Sequence, residues 1–311
     1  ALPSTMKHIY CGGEGETFFS TSDIGWVVGH SYIIYGPLIA GMATVMYEGT
    51  PLRPDAGIWW QIVEKYKVSV MFSAPTAARV LKKQDPAFMH KYDLSTLKHI
   101  FMAGEPLDQP THEWFMGELG IPVIDNYWQT ETGWPMLAAC PGVEKTPIKF
   151  GSPSFPVYGY NLNIYREDGS ICGANEKGIA AVVPPLPPGC LSIVWGQDER
   201  CISTYFDLFK DPLVYSSYDW AIKDDDGYYT ILGRTDDVIN VAGHRLGTRE
   251  IEEAIQNHPA IAEVAVVGVE DKLKGQVPMA FAVVKDASRV ATPELVKALE
   301  KEVFATVDSI L

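Results

Sequence analysis

The sequence lacks the marks of a disulfide framework. Its five cysteines, Cys11, Cys140, Cys172, Cys190 and Cys201, are odd in number, and none forms a Cys-x-x-Cys pair. That argues against a cystine scaffold or a zinc knuckle and favours a reducing compartment, the cytoplasm or the mitochondrial matrix. Each cysteine reads first as a small buried apolar residue. Also missing is any apolar run of about 18 residues, so no membrane span is expected. The opening residues, Ala1 to Met6, show neither a charged n-region nor an apolar h-region, and they read like the interior of a longer chain. Positive charge is scarce: 25 Lys and Arg stand against 39 Asp and Glu, a formal net charge of -14. A polyanion needs a cationic face, so nucleic acid is not an expected partner. A small anionic ligand remains compatible, because a few placed arginines can overrule a global field.

Three common catalytic signatures are absent as well. There is no Gly-x-x-x-x-Gly-Lys-Ser/Thr phosphate loop, no Gly-x-Gly-x-x-Gly after a strand, and no Gly-x-Ser-x-Gly elbow. Kinase, dehydrogenase and α/β-hydrolase readings all lose ground.

What is present is a folded composition. Of 311 residues 47% are hydrophobic and 21% charged, enough for a large core and for more than one domain. Strand-like and helix-like segments alternate in the first half. Ala43–Tyr47, Val68–Ser73, Ile100–Ala103 and Val123-Ile124 read as strands. Gly57–Tyr66, a segment from Pro75, and about Pro110–Leu119 read as helices. This alternation predicts an α/β fold with a mostly parallel sheet over residues 1–150. After Gly151 the density of Gly and Pro rises, and short strands at 161–165 and 179–183 predict a β-rich subdomain over 151–235. A third region, 236–311, opens near Asp236. It predicts a helix capped by Thr248, strands at 264–267 and 280–284, and a helix opened by Thr292-Pro293, the first part of a small α+β domain.

Three segments could carry chemistry. Asp125-Asn-Tyr-Trp-Gln-Thr-Glu131 follows the strand Val123-Ile124, and ligands of open α/β sheets gather at strand carboxyl ends. Its hydroxyl, carboxylate, amide and aromatic groups could hold a purine, a phosphate and, through Glu131, a hard cation such as Mg²⁺. They could equally form a polar loop that caps a helix. Gly104-Glu105-Pro106 follows another strand, where Gly lets a ligand approach closely and Pro fixes the chain. Gly233-Arg234 to Arg245-Leu-Gly247 brings in two arginines suited to phosphate and ribose oxygens, or to surface ion pairs with Asp236 and Asp237.

At these segments the chain resembles the acyl-adenylate-forming superfamily, and within it the acetyl- and propionyl-CoA synthetases. The motifs are Ser22–Tyr32, Tyr35-Gly-Pro-Leu38, Ala103-Gly-Glu-Pro106, Tyr127-Trp-Gln-Thr-Glu131, Gly233-Arg-Thr-Asp-Asp237 and Gly243–Ile251, in the family's order along almost the whole chain. The resemblance implies AMP-forming activation of a carboxylic acid by ATP, followed by transfer to coenzyme A, with Mg²⁺ as cofactor. It implies that Gly104, Glu105 and Pro106 border the adenine and that Asp125, Asn126, Tyr127, Trp128, Gln129 and Thr130 line the nucleotide. Thr130 would contact phosphate and Glu131 would hold Mg²⁺. Asp219 and Arg234 would meet the ribose, Asp236 would serve as a hinge, and Arg245 would reach phosphate. Thr130, Glu131 and Arg245 are thus the expected catalytic residues.

The same resemblance implies an acyl pocket walled by Trp26, Val27, Val28, Ala103 and Trp128. Acetate enzymes usually carry Val where this chain has Ala103, so propionate is the expected acid, with acetate and 3-hydroxypropionate as alternatives. Ala103 could instead only adjust core packing. The family's upstream phosphate loop and its far C-terminal lysine have no counterpart in these residues, and Leu52 and Ala242 replace frequent polar residues near coenzyme A. The chain by itself is therefore expected to recognise better than it catalyses, and a non-catalytic nucleotide-binding fragment is the alternative of a different class. Oligomeric state leaves no trace in the sequence.

Overall fold

Hydrophobic runs buried on both faces build the first half of the chain. A computed structural model describes residues 1–209, 211–235, 238–241, 244–256, 258–271, 275–290 and 292–310. The chain divides into two units, Ala1–Ser217 with Ala221–Ile231, and Tyr218–Trp220 with Leu232–Leu311.

The first unit opens with α1 (Leu2–His8) and β1 (Thr17–Ser20). A turn at Val27–Gly29 runs into a π-helical segment, His30–Tyr35, and then Gly36–Ile39. There follow β2 (Ala43–Val45), α2 (Ile58–Tyr66), β3 (Val68–Ser73), α3 (Pro75–Lys82), β4 (His99–Met102), α4 (Gln109–Leu119), β5 (Val123–Tyr127) and β6 (Leu137–Ala138). These strands form one six-stranded sheet in the order β2-β1-β3-β4-β5-β6. β1 to β5 pair in parallel, and β6 closes the edge antiparallel to β5. The expected α/β class with a mostly parallel sheet is the fold observed.

Alternation along the strands feeds two cores. Phe18, Val70, Phe72, Phe101 and Ile124 belong to one apolar cluster, with Met6 of α1 and Tyr32 of the π-helical segment. Phe19, Met71, Ile100, Met102 and Val123 belong to the other, with Trp59 and Trp60 of α2, Leu81 of α3 and Phe115 of α4. A parallel sheet covered on both faces needs apolar residues at both phases of the pleat, as these strands show. α4 is closed at both ends. Asp108 accepts the Thr111 N–H at 2.9 Å, and Gly120, at φ 67°, follows the last turn.

A four-stranded sheet in the order β10-β9-β8-β7 follows, built from β7 (Leu162–Tyr165), β8 (Gly178–Val182), β9 (Tyr215–Lys223) and β10 (Tyr229–Arg234). α5 (Asp198–Tyr205) precedes β9. Leu162, Ile164, Ala180, Val182, Tyr215 and Tyr229 close the first core cluster from this side.

The second unit holds β11 (Val238–Val241), β12 (His244–Gly247), α6 (Thr248–Gln256), β13 (Ile261–Asp271), β14 (Gly275–Val284) and α7 (Pro293–Ile310). Its sheet runs β12-β11-β14-β13. Two expectations are corrected here. The β13–β14 ladder extends beyond the apolar runs at 264–267 and 280–284, because backbone pairing continues to Asp271 opposite Gly275. Thr248 is the first helical residue of α6, not the residue before it. Within the stretch Gly233–Gly247, β11 and β12 pair antiparallel, with Val238 opposite Gly247.

Candidate active site

The parallel ladder decides which loops meet. With β1, β3, β4 and β5 running the same way, Thr21–Val28, Ala74-Pro75, Ala103–Pro106 and Trp128–Glu131 all leave the sheet at its carboxyl edge. Met102 lies opposite Asp125, so the loops after β4 and β5 start from adjacent strands, about 5 Å apart. Two of the three segments singled out from the sequence are therefore neighbours in space. One correction follows. Asp125, Asn126 and Tyr127 are strand residues of β5, held by β4 on one side and by β6 on the other, and the loop starts at Trp128.

After β4, Ala103 is buried and Gly104 takes a φ of 102°, a left-handed conformation open to glycine. A Cβ on Gly104 would meet nothing within 4 Å, so its backbone borders open space. Glu105 is committed to α3: one oxygen accepts the Thr76 N–H at 2.8 Å and the Thr76 hydroxyl, and the other pairs with Arg79. Its carboxylate thus caps the positive end of that helix. Arg79 also reaches Asp108 at 3.2 Å. Burial pushes the Asp108 carboxyl up, but its hydrogen bonds from Thr111 and the Arg79 guanidinium outweigh this and hold it below the usual range.

After β5, the backbone is fastened at several points. The Gln129 N–H donates to the Thr132 hydroxyl at 3.1 Å, and the Leu191 N–H donates to the Glu131 carbonyl at 2.6 Å. Ser31 donates to the Gly133 carbonyl at 3.1 Å, and the Trp134 indole donates to Pro188 at 3.1 Å. Gly133 sits at φ 70°, where a Cβ would come within 2.7 Å of the Gly189 carbonyl oxygen. Two tyrosines hold the side chains. Tyr205 donates to Glu131 Oε1 at 2.8 Å, and Tyr215 donates to Gln129 Oε1 at 2.8 Å, while Gln129 Nε2 donates to the Ser217 carbonyl at 2.7 Å. Burial, and then the Glu131 carboxylate, push the Tyr205 hydroxyl up to about 12, so it stays a donor at neutral pH. Thr130, between Gln129 and Glu131, is exposed, and its hydroxyl makes no hydrogen bond among the described residues. Asn126 is only 2% exposed, and both atoms of its amide lack a partner among the described residues.

Of the expected acyl-pocket residues, Val28 and Trp128 pack against the cluster that contains Ala103. Trp128 meets buried Tyr32 edge to face at 5.5 Å, a neighbour that the sequence reading did not assign to it. Val27 is half-buried, whereas Trp26 is 67% exposed and so does not close this cluster. Asp219 is buried on β9 and Arg234 ends β10 exposed, and both lie in the second unit. Asp236 lies outside the described residues. Arg245 lies on β12, and its side chain is likewise outside them.

Residues 2–182 match the model of the AMP-binding enzyme family, and residues 250–311 match the AMP-binding enzyme C-terminal domain. The chain belongs to the AMP-binding enzyme family. It is 57% identical to the propionate–CoA ligase of Escherichia coli strain K12 over 99% of this chain and 49% of that protein. It is 44% identical to the acetyl-coenzyme A synthetase of Wolinella succinogenes over 91% of this chain and 43% of that one. The chain thus spans about half the length of the curated relatives it matches. The crystal structure of the anthranilate CoA ligase AuaEII in complex with anthranoyl-AMP shares the fold, with a TM-score of 0.80 at 22% identity, over 100% of this chain and 57% of that one.

Mg²⁺ is generally held by one or two carboxylates together with substrate phosphates. Glu131 offers one such oxygen: Oε1 accepts from Tyr205, while Oε2 makes no hydrogen bond among the described residues. Among the described residues no group of three or more His, Cys, Asp or Glu side chains could hold a metal. The donor set fits a cation that arrives with phosphate, not one held in an all-protein cage. No helix among the described residues is long and apolar enough to cross a membrane.

Proposed function

We propose that the protein is an AMP-forming ligase that activates propionate. The propionate carboxylate attacks the α-phosphorus of ATP, pyrophosphate leaves, and an acyl-AMP forms. The thiol of coenzyme A then attacks the acyl carbon, and AMP leaves. The observation that carries this reading is the juxtaposition of the loops after β4 and β5 at one sheet edge, with an open glycine backbone in one and an exposed Thr130 beside Glu131 in the other. The 57% identity to a propionate–CoA ligase supports the choice of acid. All five cysteines are free thiols, which fits a reducing compartment such as the cytoplasm.

In this reading Gly104 and Pro106 border the adenine, and Glu105 holds their loop in place rather than touching the base. Thr130 donates to phosphate, and Glu131 is the carboxylate that would hold magnesium. Magnesium supplies charge neutralisation for the phosphoryl oxygens. Preorganised donors matter here because charge develops on the transferring phosphorus.

Ala103 sets the acid. It is buried in the cluster against which Val28 and Trp128 pack, so two added methyl groups would take space from the acyl chain. One methylene in an apolar pocket is worth about 1–3 kcal/mol of discrimination. Ala103→Val is therefore expected to move the kcat/KM ratio toward acetate by about ten- to a hundredfold. The test is a panel of propionate, acetate and 3-hydroxypropionate with the full-length protein, reading pyrophosphate, AMP and acyl-CoA. Acid-dependent release of pyrophosphate with propionate preferred supports the proposal. ADP as product, or an acid preference that A103V leaves unchanged, contradicts it.

A further inference from the structure

Tyr205 ends α5 and Tyr215 begins β9, and neither belongs to the segments from which the nucleotide site was read. Their rings stack at 5.7 Å with an interplanar angle of 16°. Each hydroxyl then reaches a different residue of the loop after β5: Tyr205 reaches Glu131 Oε1 and Tyr215 reaches Gln129 Oε1, both at 2.8 Å. Those two residues flank Thr130. Long side chains such as Glu and Gln lose considerable rotamer freedom when fixed, and a site that fixes them beforehand does not meet that cost when ligand binds. Phe206 also meets the Tyr215 ring edge to face at 5.9 Å.

We propose that Tyr205 and Tyr215 are positioning residues, a stacked pair whose hydroxyls hold Glu131 and Gln129 on either side of Thr130 so that the second oxygen of Glu131 is presented to a metal–polyphosphate ligand. This rests on the nucleotide-site reading above. The two tyrosines have separable effects, since one touches the carboxylate and the other the amide. Tyr205 governs the metal-dependent part of nucleotide binding. Tyr215 governs the loop's shape whether or not metal is present.

The test uses the full-length protein with ATP and Mn²⁺, a paramagnetic substitute for Mg²⁺, and reads free Mn²⁺ by electron paramagnetic resonance. Removing one hydrogen bond to a charged group is expected to cost about tenfold in affinity. Y205F should weaken Mn²⁺ binding in the ternary complex by about tenfold while metal-free ATP affinity and Tm stay near the parent values. Y215F should weaken ATP binding about threefold to tenfold both with and without metal. Y205F/E131Q should bind Mn²⁺ no more weakly than E131Q alone, because the hydroxyl acts through that carboxylate. Y205F within twofold of the parent in Mn²⁺ affinity overturns the proposal, as do equal effects of both tyrosine variants with and without metal. An E131Q protein that binds Mn²⁺ like the parent overturns the metal reading of Glu131 itself. A weakened E131Q beside an unaffected Y205F overturns only the tyrosine pair. Should Y205F lose its thermal transition, Y215F still decides, since unchanged ATP affinity there removes half of the pair.

Discussion

Glu105 and Glu131 follow neighbouring parallel strands and leave the sheet at the same edge. Both oxygens of Glu105 are engaged by α3, through Thr76 and Arg79. Glu131 is held by one oxygen only, from Tyr205, and keeps the other without a hydrogen bond among the described residues. Side by side, the two show that residue type and position at a strand end do not assign a role; the neighbours do. A carboxylate aimed at a helix N-terminus and an arginine is part of the scaffold. A carboxylate oriented by a single hydroxyl can serve a ligand.

The largest effect should come from breaking the ligand side. Glu131→Gln is expected to lower kcat by about a hundred- to a thousandfold, the scale seen when one electrostatic contact to a reacting group is removed. Its Tm should stay close to that of the parent, since only one hydrogen bond changes partner character. Steady-state pyrophosphate release and a thermal melt check both halves. Next comes the scaffold side. Glu105→Gln weakens an ion pair that is about a third exposed, so screening reduces its worth to about 1 kcal/mol. A fall in Tm of about 2–4 °C is expected, with kcat changed far less than in E131Q.

A smaller, pH-dependent effect sharpens the same contrast. Asp108, three residues on, is a second acid given to the scaffold: it caps α4 and meets Arg79. Its folded carboxyl lies below the usual range. The stability it contributes is therefore complete above its unfolded-state value of about 3.9, and is lost as pH falls through the lower folded value. Asp108→Asn removes that dependence. Melts from about pH 6 to pH 3 should show the parent's advantage over D108N shrinking below about pH 4. A constant gap between the two would deny Asp108 its scaffold role.

Much of this arrangement was legible in the sequence, for reasons tied to particular elements. Val68–Ser73 read correctly at both ends because every residue of that strand is buried, with Val68, Val70, Met71 and Phe72 placing apolar side chains on both faces. Gln109–Leu119 was legible to within a residue through Pro110 and the glycine that follows it. Asp125–Tyr127 was read as loop because its letters are polar, yet ladders on both sides carry β5 through them. The β11–β12 pairing hid behind Gly, Asp, His and Arg, residue types that also signal chemistry. The commitment of Glu105 needed Arg79, 26 residues earlier in the chain. Tyr205 and Tyr215 stand 74 and 86 residues from their partners, and no local pattern connects them. Long-range hydrogen bonds of this kind become visible only when the sheets are assembled.

The contrast between the two glutamates is tested most directly by measuring Mn²⁺ affinity in the presence of ATP, together with Tm, for E131Q and E105Q of the full-length protein. The account predicts a crossed result: E131Q loses metal affinity and keeps its Tm, while E105Q keeps metal affinity and loses Tm. Metal affinity lost in E105Q and retained in E131Q would contradict it.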